Sequence, residues 1–240
     1  MQKGQAKVFL AGPPLVKMAT NEESTDEELG GAQMHSTISG VSDFLAENED
    51  DAIKMARKIV EINANDKDKT HSKDSNPPLY KKEDILGIIP DNLKNPFDIR
   101  DLIVRFVDNS EFYEFKEKYG VTMKCGWAKI NNHQIGIIAS NGVIFSESAK
   151  KATQFIQLAN KNNIPILFVH NTTGFMVGKR HEQNGLSSIK IVQEPQSPAL
   201  QPTFVPFIFW LSLKNSLSLT FKFSIDETFF LFNVNFIVSL

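Results

Sequence analysis

The stretch CGWAKINNHQIGIIAS at residues 125–140 constrains the fold more than any other part of the chain. Two apolar runs flank Asn131-Asn132, and asparagine tolerates left-handed dihedrals, so the pair reads as the tight turn of a β-hairpin. A helix follows, capped by Ser146 and running to about Asn160, with Ala149, Ala152, Phe155, Ile156 and Ala159 on its buried face. Residues 164–169, IPILFV, then form another strand. Strand, helix and strand in that order close through a right-handed parallel crossover, which implies a layered α/β domain.

Upstream, KVFLA at 7–11 reads as a strand. NEDDAIKMARKIV at 48–60 carries its acids in the first turn and Lys54, Arg57 and Lys58 later, as the helix dipole favours. Ala52, Ile53, Ala56, Ile59 and Val60 fall at helical spacing and are expected to pack. DIRDLIVRFV at 98–107 reads as a short amphipathic helix with Ile99, Leu102, Ile103 and Phe106 inward. Between them, residues 63–80 turn polar and contain Asn76-Pro77-Pro78, so a linker is expected there, dividing domain 1–62 from domain 81–190.

Residues 191–240 differ in kind. Gly185 is the last glycine, and residues 201–240 hold nine of the nineteen phenylalanines, with Lys214, Lys222, Asp226 and Glu227 as the charges. The apolar run 204–213 is short of the roughly 20 residues a spanning helix needs. This Phe-rich tail is read as unrelated to the rest, closer to translated non-coding sequence than to an evolved domain; a membrane-touching tail is the alternative.

With 240 residues and 41% of them apolar, there is material for a packed core. The net charge of −2 and the lack of a basic patch argue against nucleic acid as a partner. One cysteine, Cys125, excludes an internal disulfide and is expected to pack as a small hydrophobe. MQKGQAKVFLAGPP at the N-terminus shows neither a signal-peptide core nor a transit-peptide pattern.

Chemistry-bearing residues are few. In NTTGFMVGKR at 171–180, Gly174 and Gly178 bracket Phe175, Met176 and Val177 directly after a strand, marking a turn with unusual dihedrals. Gly30-Gly31 before His35 is weak evidence for a phosphate loop and reads instead as a turn before a short strand, with His35 a hydrogen-bonding structural residue. His170, His181 and Glu182 lack metal-ligand spacing, so no metal is expected. Glu22, Glu23, Asp26, Glu27 and Glu28 read as a solvated helix start, Lys150-Lys151 as solvent-facing, and Ser146, Glu147 and Ser148 as a helix cap rather than a nucleophile.

Three longer segments carry a resemblance: VFLAGPPLVKMATNEESTDEELGGAQMHSTISGVSDFLAENEDDAI at 8–53, GIIPDNLKNPFDIRDLIVRFVDNSEFYEFKEKYG at 87–120, and GIIASNGVIFSESAKKATQFIQLANKNNIPILFVHNTTGFMVGKR at 136–180. Nearly continuous over 7–186, they resemble the carboxyltransferase (β) subunits of biotin-dependent acyl-CoA carboxylases. GPPLVK and SGVSDFLAENE favour the methylcrotonoyl-CoA type over the propionyl-CoA type. The resemblance implies a crotonase-like α/β fold of two superdomains, of which this chain would hold the end of the first and the start of the second. It implies carboxyl transfer from carboxybiotin, made with ATP on a partner biotin-bearing α subunit, to 3-methylcrotonoyl-CoA in leucine breakdown. A homo-oligomer of β subunits and a mitochondrial matrix location in a eukaryote are implied as well, with no membrane or nucleic-acid partner.

By the same resemblance the turn borders the biotin pocket, with Gly174 and the Phe175 backbone carbonyl as the biotin-binding groups. No catalytic side chain is assigned, since two glycine-rich oxyanion holes of backbone N–H groups would hold the developing charges. Both are expected to lie outside this chain, one before Met1 and one where the tail stands, so the chain is expected to be inactive alone. Two alternatives remain: a different acyl-CoA as substrate, and a short non-catalytic form that docks on full-length subunits.

Overall fold

In a computed structural model the described residues are 1–64, 76–90, 97–171, 174–183, 208–212, 218–225 and 228–235. Helices come first: α1 (Pro13–Thr20), α2 (Asp26–Gly30), α3 (Ala32–Met34) running into a π-turn at His35–Ser39, α4 (Glu49–Asn63), α5 (Ile85–Ile88) and α6 (Ile99–Ile103). Then follow β1 (Tyr113–Phe115), β2 (Met123–Ile130), β3 (His133–Ser140), α7 (Ser146–Lys161), β4 (Ile166–His170) and α8 (Lys179–Gln183). Strands β5 (Ile208–Ser212), β6 (Ser218–Ile225) and β7 (Thr228–Asn235) complete the order.

The hairpin forms as expected. Asn131 and Asn132 take φ of 51° and 65°, which allows Ile130 to face His133 across a two-residue turn. The buried Asp108 carboxylate accepts both turn amides, Asn131 N–H at 3.0 Å and Asn132 N–H at 2.7 Å. The sheet runs β1-β2-β3-β4-β5, antiparallel as far as β3 and parallel from β3 through β5, so the 125–169 stretch does make the parallel crossover. Strands β6 and β7 pair with each other in a separate antiparallel ribbon.

Alternation along the strands puts a core on each face of the sheet. Cys125, Trp127, Ile138 and Ile166 face α7, where Phe155 is fully buried, tilted 4.3 Å from the Trp127 ring and 5.7 Å from that of Phe115. Ala128, Ile135, Ile137, Leu167 and Val169 face the other way, against Ile99, Leu102 and Ile103 of α6. Helices on both sides of the sheet make the layered α/β architecture expected from the sequence.

Several local readings are corrected. The 7–11 stretch is not a strand: Lys7 makes an isolated bridge to Gly31, while Val8 and Leu10 are exposed. Gly30-Gly31 leads into α3 and the π-turn, not into a strand. Helix α4 forms with Asn48 capping Asp51 N–H, but it packs through half-buried Ala52, Met55 and Ile59 and buried Ile62, leaving Ile53 and Val60 exposed. Ser146 is the first residue of α7 rather than its cap; Phe145 holds the cap position and the Ser146 hydroxyl donates to Glu147. Lys151 is fully buried, not solvent-facing. Most of the expected linker lies outside the described residues, as does Gly185; of the tail, the backbone of β5 to β7 is described. No described helix is long and apolar enough to cross a membrane.

Candidate functional site

Parallel strands deliver their loops to one end of a sheet, and in α/β folds ligands bind at that carboxyl end. At this end β3 exits through Ser140, Asn141 and Gly142 toward α7, and β4 exits through His170 and Asn171 toward the glycine-bracketed turn. The exits are cross-linked: the Ser140 hydroxyl accepts Asn171 N–H at 2.8 Å, and the Asn171 carbonyl accepts Gly142 N–H at 3.0 Å. Asn141 anchors the first loop from behind, donating its N–H to Thr122 O and accepting Ile99 N–H on its side-chain oxygen.

The turn itself is strung on Ile144. Ile144 N–H donates to Gly174 O at 3.0 Å, and Met176 N–H donates to Ile144 O at 2.9 Å, forming a parallel bridge between Ile144 and Phe175. Because backbone groups alternate in direction along an extended segment, this pairing aims the Phe175 N–H and C=O away from Ile144. The Phe175 carbonyl accepts no hydrogen bond among the described residues. Phe175 is 49% exposed and Val177 79% exposed, so the turn presents itself to solvent.

Gly174 and Gly178 take φ of 134° and 129°, and Gly142 across from them takes 116°. Residues with a Cβ avoid this region. At Gly174 and Gly142 an added Cβ would meet no atom of the described residues within 4 Å, so the demand for glycine there comes from the dihedral. The sequence reading of two unusual dihedrals therefore holds.

Around this turn His170 ends β4, its ring stacked on Phe168 at 6.5 Å, and burial holds its imidazole below the ordinary range, neutral at pH 7. His181 in α8 lies 5.9 Å from Phe145, on a different element from His170. His35 is structural: its Nε2–H donates to the Val8 carbonyl at 2.6 Å, and Nδ1 pairs with the Ser39 hydroxyl at 2.7 Å. Ser148 is buried against the Thr122 hydroxyl at 2.8 Å and is no exposed nucleophile. Glu28 closes a capping box with Thr25 at the start of α2, as an acidic helix start should.

What the geometry cannot name, relatives do. A carboxyl transferase domain matches residues 1–200. The chain belongs to the carboxyltransferase family. It is 52% identical over 187 residues to a probable biotin-dependent acyl-coenzyme A carboxylase beta2 subunit of Mycobacterium tuberculosis, covering 78% of this chain and 35% of that one. It is 48% identical over 186 residues to the mitochondrial methylcrotonoyl-CoA carboxylase beta chain of Dictyostelium discoideum, covering 77% and 32%. Among solved structures, transcarboxylase 12S, described as a hexamer assembly with methylmalonyl-coenzyme A and methylmalonic acid bound, superposes with a TM-score of 0.71 at 30% identity, over 79% of this chain and 38% of that one. The chain thus holds part of a crotonase-like fold, and it spans about a third of the length of the curated relatives it matches.

The sequence singles out the turn at Gly174 and Phe175 but not the residues that hydrogen-bond around it, Ser140, Gly142 and Ile144. The available signal was Asn141-Gly142 directly after a strand, a dipeptide that marks a sharp exit.

Proposed function

We propose that the chain takes part in moving a carboxyl group from carboxybiotin to an acyl-CoA, and that its Gly174–Phe175 turn seats the ureido ring of biotin. The observation that carries this is the Phe175 carbonyl, which accepts no hydrogen bond among the described residues and is aimed away from its own bridge at the carboxyl end of parallel strands. The donor set fits: a ureido ring offers N–H groups, and the turn offers a fixed carbonyl beside an approach kept clear by Gly142 and Gly174. Carboxybiotin would supply the carboxyl group that replaces a γ-proton of the enoyl thioester, and the ureido nitrogen freed of its carboxyl would take up that proton. The part played by this chain is to accept a ureido N–H on the Phe175 carbonyl and so fix the direction of the ring. A planar ring held by one rigid acceptor is already oriented for transfer, the usual advantage of positioning.

3-Methylcrotonoyl-CoA is the substrate best supported, by the Dictyostelium relative and by GPPLVK and SGVSDFLAENE in this chain. The M. tuberculosis relative, named for acyl-CoA without further specification, supports a second reading with a different thioester. A biotin-bearing partner subunit that makes carboxybiotin with ATP, a homo-oligomer and a mitochondrial matrix location belong to the same proposal. The relatives' names and the hexamer of transcarboxylase 12S support them.

The test is binding of biotinamide, followed by saturation-transfer NMR, to the wild-type chain and to Gly174→Val. Wild type is expected to bind through the ureido edge, and Gly174→Val, which cannot hold the turn, to lose that contact with the core intact. Equal binding by both proteins, or contact through the valeryl chain alone, overturns the proposal. In parallel, 3-methylcrotonoyl-CoA is expected to protect the chain against thermal unfolding more than propionyl-CoA; the reverse order favours the second reading.

A further inference from the structure

We infer that β5, the first strand of the Phe-rich tail, is an edge guard: it closes the outer edge of β4 from within the chain, so that no strand of a second polypeptide adds there. Strand β4, ILFVH, is apolar in its first four positions, and both cores draw on it, Ile166 toward α7 and Leu167 and Val169 toward α6. A strand buried on both faces has the composition of a sheet interior, where a neighbour stands on either side. On one side is β3, paired from Gly136↔Ile166 to Ala139↔Val169. On the other, an open edge would show a row of unpaired N–H and C=O groups along an apolar run, a template for pairing with another chain.

Strand β5 fills that edge over the whole of β4, in parallel, from Ile166↔Ile208 to His170↔Ser212. It reaches one residue further than β3 does, so at His170 the described ladder neighbour is β5. The residues that do this lie beyond the carboxyl transferase match, which ends at residue 200. Their sequence suits the place: IFWLS has the continuous apolar run of a strand between neighbours. The ribbon of β6 and β7 lies beside β5 in turn. SLTFKFSI of β6 alternates polar and apolar residues, the pattern of a strand with one covered face. Lys222 stands within β6, and Asp226 and Glu227 fall between the two strands of the ribbon, charges of the kind that discourage further pairing. The tail is thereby patterned to end the sheet.

The test is nuclear Overhauser NMR on the full chain. Contacts between backbone protons of 166–170 and 208–212 are expected in a uniformly labelled sample. They are expected to be missing from isotope-filtered spectra of labelled chain mixed with unlabelled chain, which report pairs between molecules. No such contacts, or contacts between molecules, overturn closure within the chain. Phe209→Pro and Trp210→Pro give the second readout. Adjacent N–H groups of a strand point to opposite edges, so one of these prolines removes a donor to β4, and both bar a regular strand. Amide exchange at 166–170 is expected to quicken at least about tenfold, as the loss of ladder hydrogen bonds implies, with exchange in β2 and β3 as in wild type. Sedimentation is expected to show added association of the same variants. Exchange at 166–170 equal to wild type in both variants overturns the closure, and faster exchange without added association overturns the guarding role.

Discussion

Glu114 joins cations from three elements of this protein, Arg100 of α6, Lys124 of β2 and Lys151 of α7. Its side chain is 9% exposed, and its carboxylate lies 3.3 Å from Lys124 Nζ, 3.5 Å from Lys151 Nζ and 3.6 Å from Arg100 on α6. Lys151 is fully buried, and that burial pulls its ammonium below the usual lysine range. Taking away the single anion leaves two buried ammonium groups facing each other. Glu114→Gln is expected to cost about 3–5 kcal/mol in denaturant unfolding, the loss typical of a broken buried ion pair. Lys151→Met, which removes the excess cation and keeps its volume, is expected to be neutral or stabilising.

Cys125 beside this cluster gives the stability a pH signature. Burial pushes its thiol from 9.0 to about 12, so the folded state holds a proton that the unfolded state releases. The stabilisation is complete below pH 9 and is lost as pH rises toward 12. Burial raises Tyr113 and Tyr119 above 10.0, adding to the loss at higher pH, while Lys151, lowered from 10.5, works in the opposite sense. Guanidinium unfolding between pH 8 and 11 is expected to show falling stability, and Cys125→Ala to delay that fall until pH exceeds about 10. An unchanged profile in the alanine variant would assign the fall to the tyrosines.

At the scale of elements, the hairpin turn rests on Asp108, whose buried carboxylate takes both amides of Asn131 and Asn132. Asp108→Ala is expected to destabilise by about 2–4 kcal/mol, measured by thermal unfolding, since two donors lose a charged acceptor at once. This turn, the parallel crossover and the inward faces of α6 and α7 were legible because local chemistry and burial agree in them. The inward face of α4 was not. Helical spacing there permits two apolar stripes, and contact with the rest of the fold selects the one through Met55, Ile59 and Ile62. The 7–11 stretch misled for a related reason: KVFLA has strand composition, but a strand needs a neighbour, and Lys7 finds one bridge. Gly174 and Gly178 announced the turn through their dihedrals, whereas Asn141-Gly142 marks a sharp strand exit without telling that the Ser140 hydroxyl reaches Asn171 N–H, 31 residues on.

For the molecule as a whole, residues 1–64 and 97–171 pack as neighbours. Phe44 stacks on Tyr113 at 5.1 Å, Ile62 enters the core under α7, and its carbonyl accepts the Gln134 amide at 2.7 Å. Lys116, buried at φ 49°, reaches back to the Gly40 carbonyl and pairs with Asp43. Gly40 is itself required, since a Cβ would stand 2.7 Å from the Tyr119 ring. Such packing fixes the helical N-terminal part against the sheet whose far end carries the Phe175 turn. The central claim, that this turn seats a ureido ring, is tested most directly by a crystal structure of the protein with biotinamide. The account predicts a ureido N–H within about 2.7–3.2 Å of the Phe175 carbonyl oxygen, with the ring against Gly142 and Gly174. Biotinamide bound at another part of the surface, with the Phe175 carbonyl facing solvent, would contradict it.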